Sequence, residues 1–238
     1  MPPFTPAKVF TFTVDPSLAD WQVSPRRWMA DHNKHWDGLA VAAVVFDDRG
    51  RVLLVQRAAH DSMPNRWEVP GGAADEDEDE NEIENKNKND SSNVASEQFP
   101  PRTTILGAAA RELWEEAGLV ATRFTHLIPQ PPLPGQASPG TAVDHPGLVF
   151  ANRTGKKFFC RFAFAVQVQS CDRVTLDPDE HQAYVWATED EVRQQRMAGS
   201  GQVIPLTVPE AQALVLEAFR LRAAKADEVN SSGSDVVG

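Results

Sequence analysis

Three glutamates, Glu112, Glu115 and Glu116, stand at positions i, i+3 and i+4 within the run Arg111-Glu112-Leu113-Trp114-Glu115-Glu116-Ala117-Gly118-Leu119. On a helix, that spacing gathers three carboxylates on one face. Left alone they repel one another, and a purely structural helix gains nothing from the cluster. A hard divalent cation, which takes oxygen ligands and often shares a phosphate, turns the repulsion into binding. Arg111, four residues before Glu115, is spaced to pair with it and hold that carboxylate in place. Taken without their surroundings, three glutamates read equally as an ordinary solvated helix face. The other side of the helix carries Leu106, Ala109, Ala110, Leu113 and Ala117, a seam of small and branched residues suited to close packing on a sheet. The charged face is therefore expected outward and the apolar face inward. Upstream, Trp67-Glu68-Val69-Pro70-Gly71-Gly72 reads as a short strand that ends in a double glycine, whose backbone can approach a ligand closely and expose a carbonyl.

These residues need elements to position them, and the pattern along the chain supplies candidates. Lys8 to Val14 alternates as a half-buried strand does. Ser24 followed by Pro25 offers an N-cap and a first-turn proline for a helix through Trp36. Leu39–Phe46, the turn Asp47-Asp48-Arg49-Gly50 and Val52–Gln56 predict a β-hairpin, its first arm apolar on both faces and hence central in a sheet. Thr104–Ala117 follows helical periodicity, with Gly118 placed as the terminating glycine. Further strands are expected at Arg123–Ile128, Phe158–Val168 and Ala183–Ala187, and an amphipathic helix at Pro209–Ala224. Interleaved strands and helices without repeats make the class α/β, or α+β, with a mixed sheet. Residues 1–36 are expected to add a strand and a helix to a core domain of residues 37–225, and residues 226–238 to form a flexible tail.

Two segments fit no element. Residues 75–102 are Asp, Glu, Asn, Lys and Ser with little to bury, and read as a disordered acidic insertion. Residues 129–147 hold six prolines and three glycines and read as a long loop. Ten acidic residues between Asp75 and Glu97, against only Lys86 and Lys88, account for most of the net charge of −11, so the remainder is nearly neutral. The acidic balance argues against nucleic acid as the main partner. The longest apolar run, Gly38 to Phe46, is about half the length needed to span a bilayer, and the Met-Pro-Pro-Phe-Thr-Pro start lacks the marks of a secretory signal. Cys160 and Cys171 read as two free thiols, and the protein as cytoplasmic. Trp21, Trp28 and Trp36 read as core rather than as a base-stacking pocket.

At the double glycine and the glutamate helix the chain resembles the Nudix hydrolase family. That pattern runs glycine, five residues, glutamate, seven residues, then Arg-Glu-aliphatic-any-Glu-Glu-any-Gly-aliphatic. Gly72 serves as the first glycine, Glu78 follows after five residues, and Arg111 to Leu119 matches every specified position of the second half. The spacing between the halves departs: Arg111 lies 33 positions after Glu78, where the pattern expects eight. Eight positions before Arg111 stands Thr103, which is no carboxylate. Glu78 is brought back by a looped-out insertion, or Asp75, Asp77 or another acid stands in for it, or that ligand is missing. Loop-closure cost grows slowly with length, so the fold tolerates the insertion even where the cation affinity does not.

The resemblance implies an α/β/α sandwich and a hydrolase that cleaves a diphosphate linkage with Mg²⁺ or Mn²⁺. Carried over, Glu112, Glu115 and Glu116 are the metal ligands, Gly72 lends a carbonyl, and Arg111 orients the glutamates. The catalytic set is then Glu116, Glu115 and Arg111 with a later-loop candidate base, Glu180, in Asp177-Pro178-Asp179-Glu180-His181. His181 reads as a surface-loop histidine. Arg57, at a strand end, is a candidate for a substrate phosphate. The implied partner is a small-molecule diphosphate: a nucleoside diphosphate derivative or (deoxy)nucleoside triphosphate, with an isoprenoid or inositol diphosphate as the alternative. A third reading is a binding module that has lost turnover through its displaced glutamate. Relatives are often homodimers, and no exposed apolar stripe in this sequence assigns an oligomeric state.

Overall fold

The computed structural model describes residues 10–74, 103–133 and 145–232. In chain order the elements are β1 (Thr13–Val14), a 3₁₀ turn (Pro16–Trp21), α1 (Pro25–Asp31), β2 (Gly38–Val45), β3 (Val52–Arg57), β4 (Trp67–Glu68), α2 (Ile105–Ala117), β5 (Ala121–Ile128), β6 (Leu148–Ala151), β7 (Phe158–Val168), β8 (His181–Ala187), α3 (Glu189–Gln194) and α4 (Pro209–Ser232). The acidic stretch with Asp75, Asp77 and Glu78, the middle of the proline-rich loop, and Lys8 and Val9 lie outside the described residues.

The first sheet has the order β1-β5-β7-β2 and is mixed. β1 runs parallel to β5 and β2 parallel to β7, while β5 and β6 pair antiparallel with different stretches of β7. β4, β3 and β8 form a second, antiparallel sheet. Alternate residues of a strand point to opposite faces, and β2 uses both. Val41, Ala43 and Val45 join a core with Ile105, Leu106 and Leu113 of α2 and with Leu18, Trp21 and Trp28 from the N-terminal segment. Ala42 and Val44 join a second core with Leu54 of β3 and with Leu214, Val215 and Phe219 of α4. Helices thus cover the first sheet on both faces, giving the mixed α+β sandwich expected from the sequence. Both cysteines are free, Cys160 buried and Cys171 half-buried.

The predicted hairpin is corrected. Its turn forms, with Gly50 at φ +74° and the Gly50 N–H donating to the Asp47 carbonyl at 2.9 Å. After one bridge between Phe46 and Val52, however, the arms enter different sheets. Both are buried on both faces, and each finds partners for both of its edges. β2 lies between β7 and the segment after β4, whose Pro70 and Gly72 carbonyls accept the N–H groups of Ala43 and Val41 at 2.8 and 2.9 Å. β3 lies between β4 and β8. α1 is capped by Ser24 as expected but ends at Asp31, because Asn33 takes a left-handed φ of +50°. α4 continues past Ala224 to Ser232, through residues expected to fray. No described helix is long and apolar enough to cross a membrane.

Candidate active site

α2 is fixed at both ends. The Thr104 hydroxyl accepts the Gly107 N–H at 3.0 Å, and Gly118 stops the helix at φ +67°. Ala108, Ala109 and Ala110 are buried, so the helix axis lies close to β2. This closeness carries two of the three glutamates inward. Glu112 and Glu116 are 9% and 5% exposed, whereas the Glu115 side chain is 41% exposed. The expected outward display of all three carboxylates therefore holds only for Glu115.

What receives the buried pair is the double glycine. The 70–74 segment runs beside β2, and a Cβ on Gly71 would fall 2.2 Å from the Val41 carbonyl oxygen. A Cβ on Gly72 would fall 2.5 Å from Glu112 Oε2. Only glycine leaves space for the strand on one side and the carboxylate on the other. The Gly71 N–H donates to Glu116 Oε2 at 2.7 Å. The Gly72 carbonyl accepts the Val41 N–H at 2.9 Å, and Gly72 also gives clearance for Glu112. Arg111 bridges Glu112 Oε1 and Glu115 Oε2, each at 2.8 Å, and donates to the Ala73 carbonyl at 3.0 Å, tying the helix to the glycine segment.

The second sheet closes the site. The Glu180 carbonyl accepts the Ala58 N–H at 2.8 Å, and His181 pairs in register with Arg57. That placement brings donor atoms of Glu116, Glu180 and His181 within 4.8 Å of one another. Glu180, read from sequence as a later-loop base, thus stands beside the motif helix. His181 is corrected: it is 3% exposed, and neither ring nitrogen has a hydrogen-bond partner among the described residues. Its Nε2 lies 3.6 Å from Glu68 Oε1. Arg57 pairs with Glu68, and with Asp61 at 2.5 Å, so its guanidinium is engaged by carboxylates at the rim. Sequence reading passed over Glu68, Asp61 and His181 as site residues. The available signal was an acid opposite the buried Trp67 in a strand leading to the glycine pair.

Charge accumulates here. Burial pushes the Glu116 carboxyl up to about 9, with the negative charges of Glu112, Glu68 and Glu180 adding to the effect and the Gly71 N–H opposing it. Glu112 is also raised, mainly by burial, against the pull of Arg111. No cationic side chain among the described residues pairs with Glu116. A buried carboxylate without a cationic partner, next to further carboxylates on the same helix face, suits a hard divalent cation, so the donor chemistry fits the metal that the motif implies.

The family model described as NUDIX domain matches residues 36–82 and 97–207, with an interruption inside the acidic stretch. Among solved structures, the chain is similar to the MutT protein from Methanosarcina mazei Go1, with 18% identity, 78% of this chain and 94% of that chain covered, and a TM-score of 0.45. It is similar to a C. elegans Ap4A hydrolase in a binary complex, with 18% identity, coverage of 79% and 98%, and a TM-score of 0.45. It is also similar to the NUDIX domain of Shewanella oneidensis NrtR complexed with ADP ribose, with 16% identity, coverage of 84% and 99%, and a TM-score of 0.46. No curated protein matches the chain in sequence.

Proposed function

Since this chain belongs to the NUDIX domain family, hydrolases of phosphoric anhydrides that act on nucleoside diphosphate derivatives and generally use divalent metal ions, we propose that it is a Mg²⁺- or Mn²⁺-dependent pyrophosphohydrolase. Its substrate is a nucleoside diphosphate derivative or a (deoxy)nucleoside triphosphate. The observation that carries this reading is the Glu116 carboxylate, 5% exposed, fixed by the Gly71 N–H and set beside Glu112 on one face of α2.

Glu112, Glu115 and Glu116 would hold the cation, with Gly72 giving Glu112 the room to reach it. A bound divalent cation supplies neutralisation of the phosphoryl oxygens and acidification of the attacking water. Arg111 orients two of the carboxylates and keeps their spacing. Glu180, exposed and close to Glu116, accepts the proton of the attacking water. Arg57 meets a substrate phosphate by exchanging one of its carboxylate partners, Glu68 or Asp61, for the incoming anion.

The test is a panel of nucleoside diphosphate derivatives, nucleoside triphosphates, and isoprenoid and inositol diphosphates, each incubated with purified protein and Mg²⁺ or Mn²⁺. Release of a nucleoside monophosphate or of pyrophosphate from nucleotide members alone is the expected result. Cleavage confined to isoprenoid or inositol members overturns the substrate class, and no cleavage anywhere leaves a binding module in its place.

A further inference from the structure

We propose that His181 supplies an imidazole nitrogen to the cation held by Glu116, beside the Glu180 carboxylate, making this a mixed nitrogen and oxygen site that favours first-row transition cations over Mg²⁺. The inference rests on the reading of Glu116 as a cation ligand and adds a residue that the glutamate motif does not contain.

Three observations carry it. His181 is 3% exposed, and both of its ring nitrogens are buried without a hydrogen-bond partner among the described residues. Buried polar groups are satisfied in all but a few cases, so an imidazole with two orphaned nitrogens points to a ligand. Its neighbours cannot fill that need as they stand: Glu68 Oε1 is 3.6 Å from Nε2, beyond hydrogen-bond range, and already receives Arg57. The ring is also aimed at other donors, because Glu116, Glu180 and His181 each present one ligand atom within 4.8 Å of the other two. Bonds of about 2.1 Å place two ligands on one ion at most ~4.2 Å apart, so sub-ångström side-chain adjustments close the set. The backbone fixes this aim. The His181 N–H donates to the Asp177 carbonyl at 2.8 Å, and His181 opens β8 in register with Arg57.

The chemistry of the set follows from its donors. Mg²⁺ takes oxygen ligands in near-octahedral geometry and keeps several waters, and an imidazole adds little for it. Affinity for nitrogen rises from Mn²⁺ along the first row, so one histidine beside two carboxylates shifts selectivity toward those ions.

Full-length protein is titrated with Mn²⁺ alone as the probe, its affinity measured by calorimetry, and the bound ion examined by pulsed electron paramagnetic resonance. The expected spectrum carries coupling to a ¹⁴N nucleus, replaced by ¹⁵N coupling in histidine-labelled protein. His181→Gln is expected to abolish the coupling and to weaken Mn²⁺ by about 10-fold or more, with Mg²⁺ affected less. Bound Mn²⁺ without nitrogen coupling in the unsubstituted protein overturns the histidine ligand while leaving the carboxylate site standing. Absence of Mn²⁺ binding overturns both. Should His181→Gln not fold, the labelled unsubstituted protein still decides, because His181 is the one histidine in this cluster among the described residues.

Discussion

At Glu116, burial and charge pull against each other. The carboxyl is raised from 4.5 to about 9 by desolvation first and by the nearby acids second. In cation-free protein the folded state therefore keeps a proton that the unfolded chain has lost, and stability falls as pH rises from about 4.5 to about 9, with a slope of at most ~1.4 kcal/mol per pH unit. Glu116→Gln, which keeps shape and removes charge, is expected to flatten that slope and to raise the melting temperature of cation-free protein at pH 8. Chemical denaturation of both proteins across pH 5 to 9 checks it. The same substitution should lower turnover on the order of 10²-fold or more, the scale of a lost catalytic group, and an unchanged rate removes Glu116 from the mechanism. The glutamate trio was legible in the sequence because its spacing is local to one helix. Glu68 and His181 were not, because they reach Glu116 only through the packing of two sheets, and adjacency between distant strands leaves no trace in local periodicity.

At the scale of elements, the two glycines have separable duties. A Cβ on Gly71 would strike backbone, the Val41 carbonyl oxygen, which cannot yield without displacing β2. A Cβ on Gly72 would strike the end of the Glu112 side chain. Gly71→Ala is accordingly expected to destabilise the fold by about 1–3 kcal/mol or more. Gly72→Ala should leave the circular dichroism spectrum and melting temperature close to unchanged while weakening divalent-cation binding and turnover. Equal losses of stability in the two variants would contradict this division. Thr104→Ala, which removes the α2 cap, is expected to cost about 1 kcal/mol by denaturant melting. The extent of α2 and its terminating Gly118 were readable, since periodicity and a closing glycine are local signals, while Thr104 was read as the first residue of the helix and is its cap. The hairpin was misread because its turn residues specify a reversal and nothing about which sheet each arm then joins. The short helix α3 passed unnoticed although Thr188 and Glu191 form a capping box at its start.

For the whole molecule, the first sheet has a core on each face, and both are built from described residues on either side of the acidic stretch. The composition of residues 80–98 offers almost nothing to those cores. Deleting Glu80 to Gln98 is expected to leave soluble protein with a melting temperature within a few degrees of the full chain, whereas insoluble protein would show the stretch to be structural. The interleaved strands and helices made the fold class legible. The layering was less so, because β2 is apolar along its length and its sequence does not say which face meets α2 and which meets α4.

The central claim, that α2 and the glycine pair together hold a divalent cation, is tested most directly by diffraction from crystals soaked in Mn²⁺, using its anomalous signal. The account predicts a peak within bonding distance, roughly 2.0–2.6 Å, of carboxylate oxygens of Glu112 and Glu116. Well-ordered carboxylates on that face with no anomalous peak beside them would contradict it.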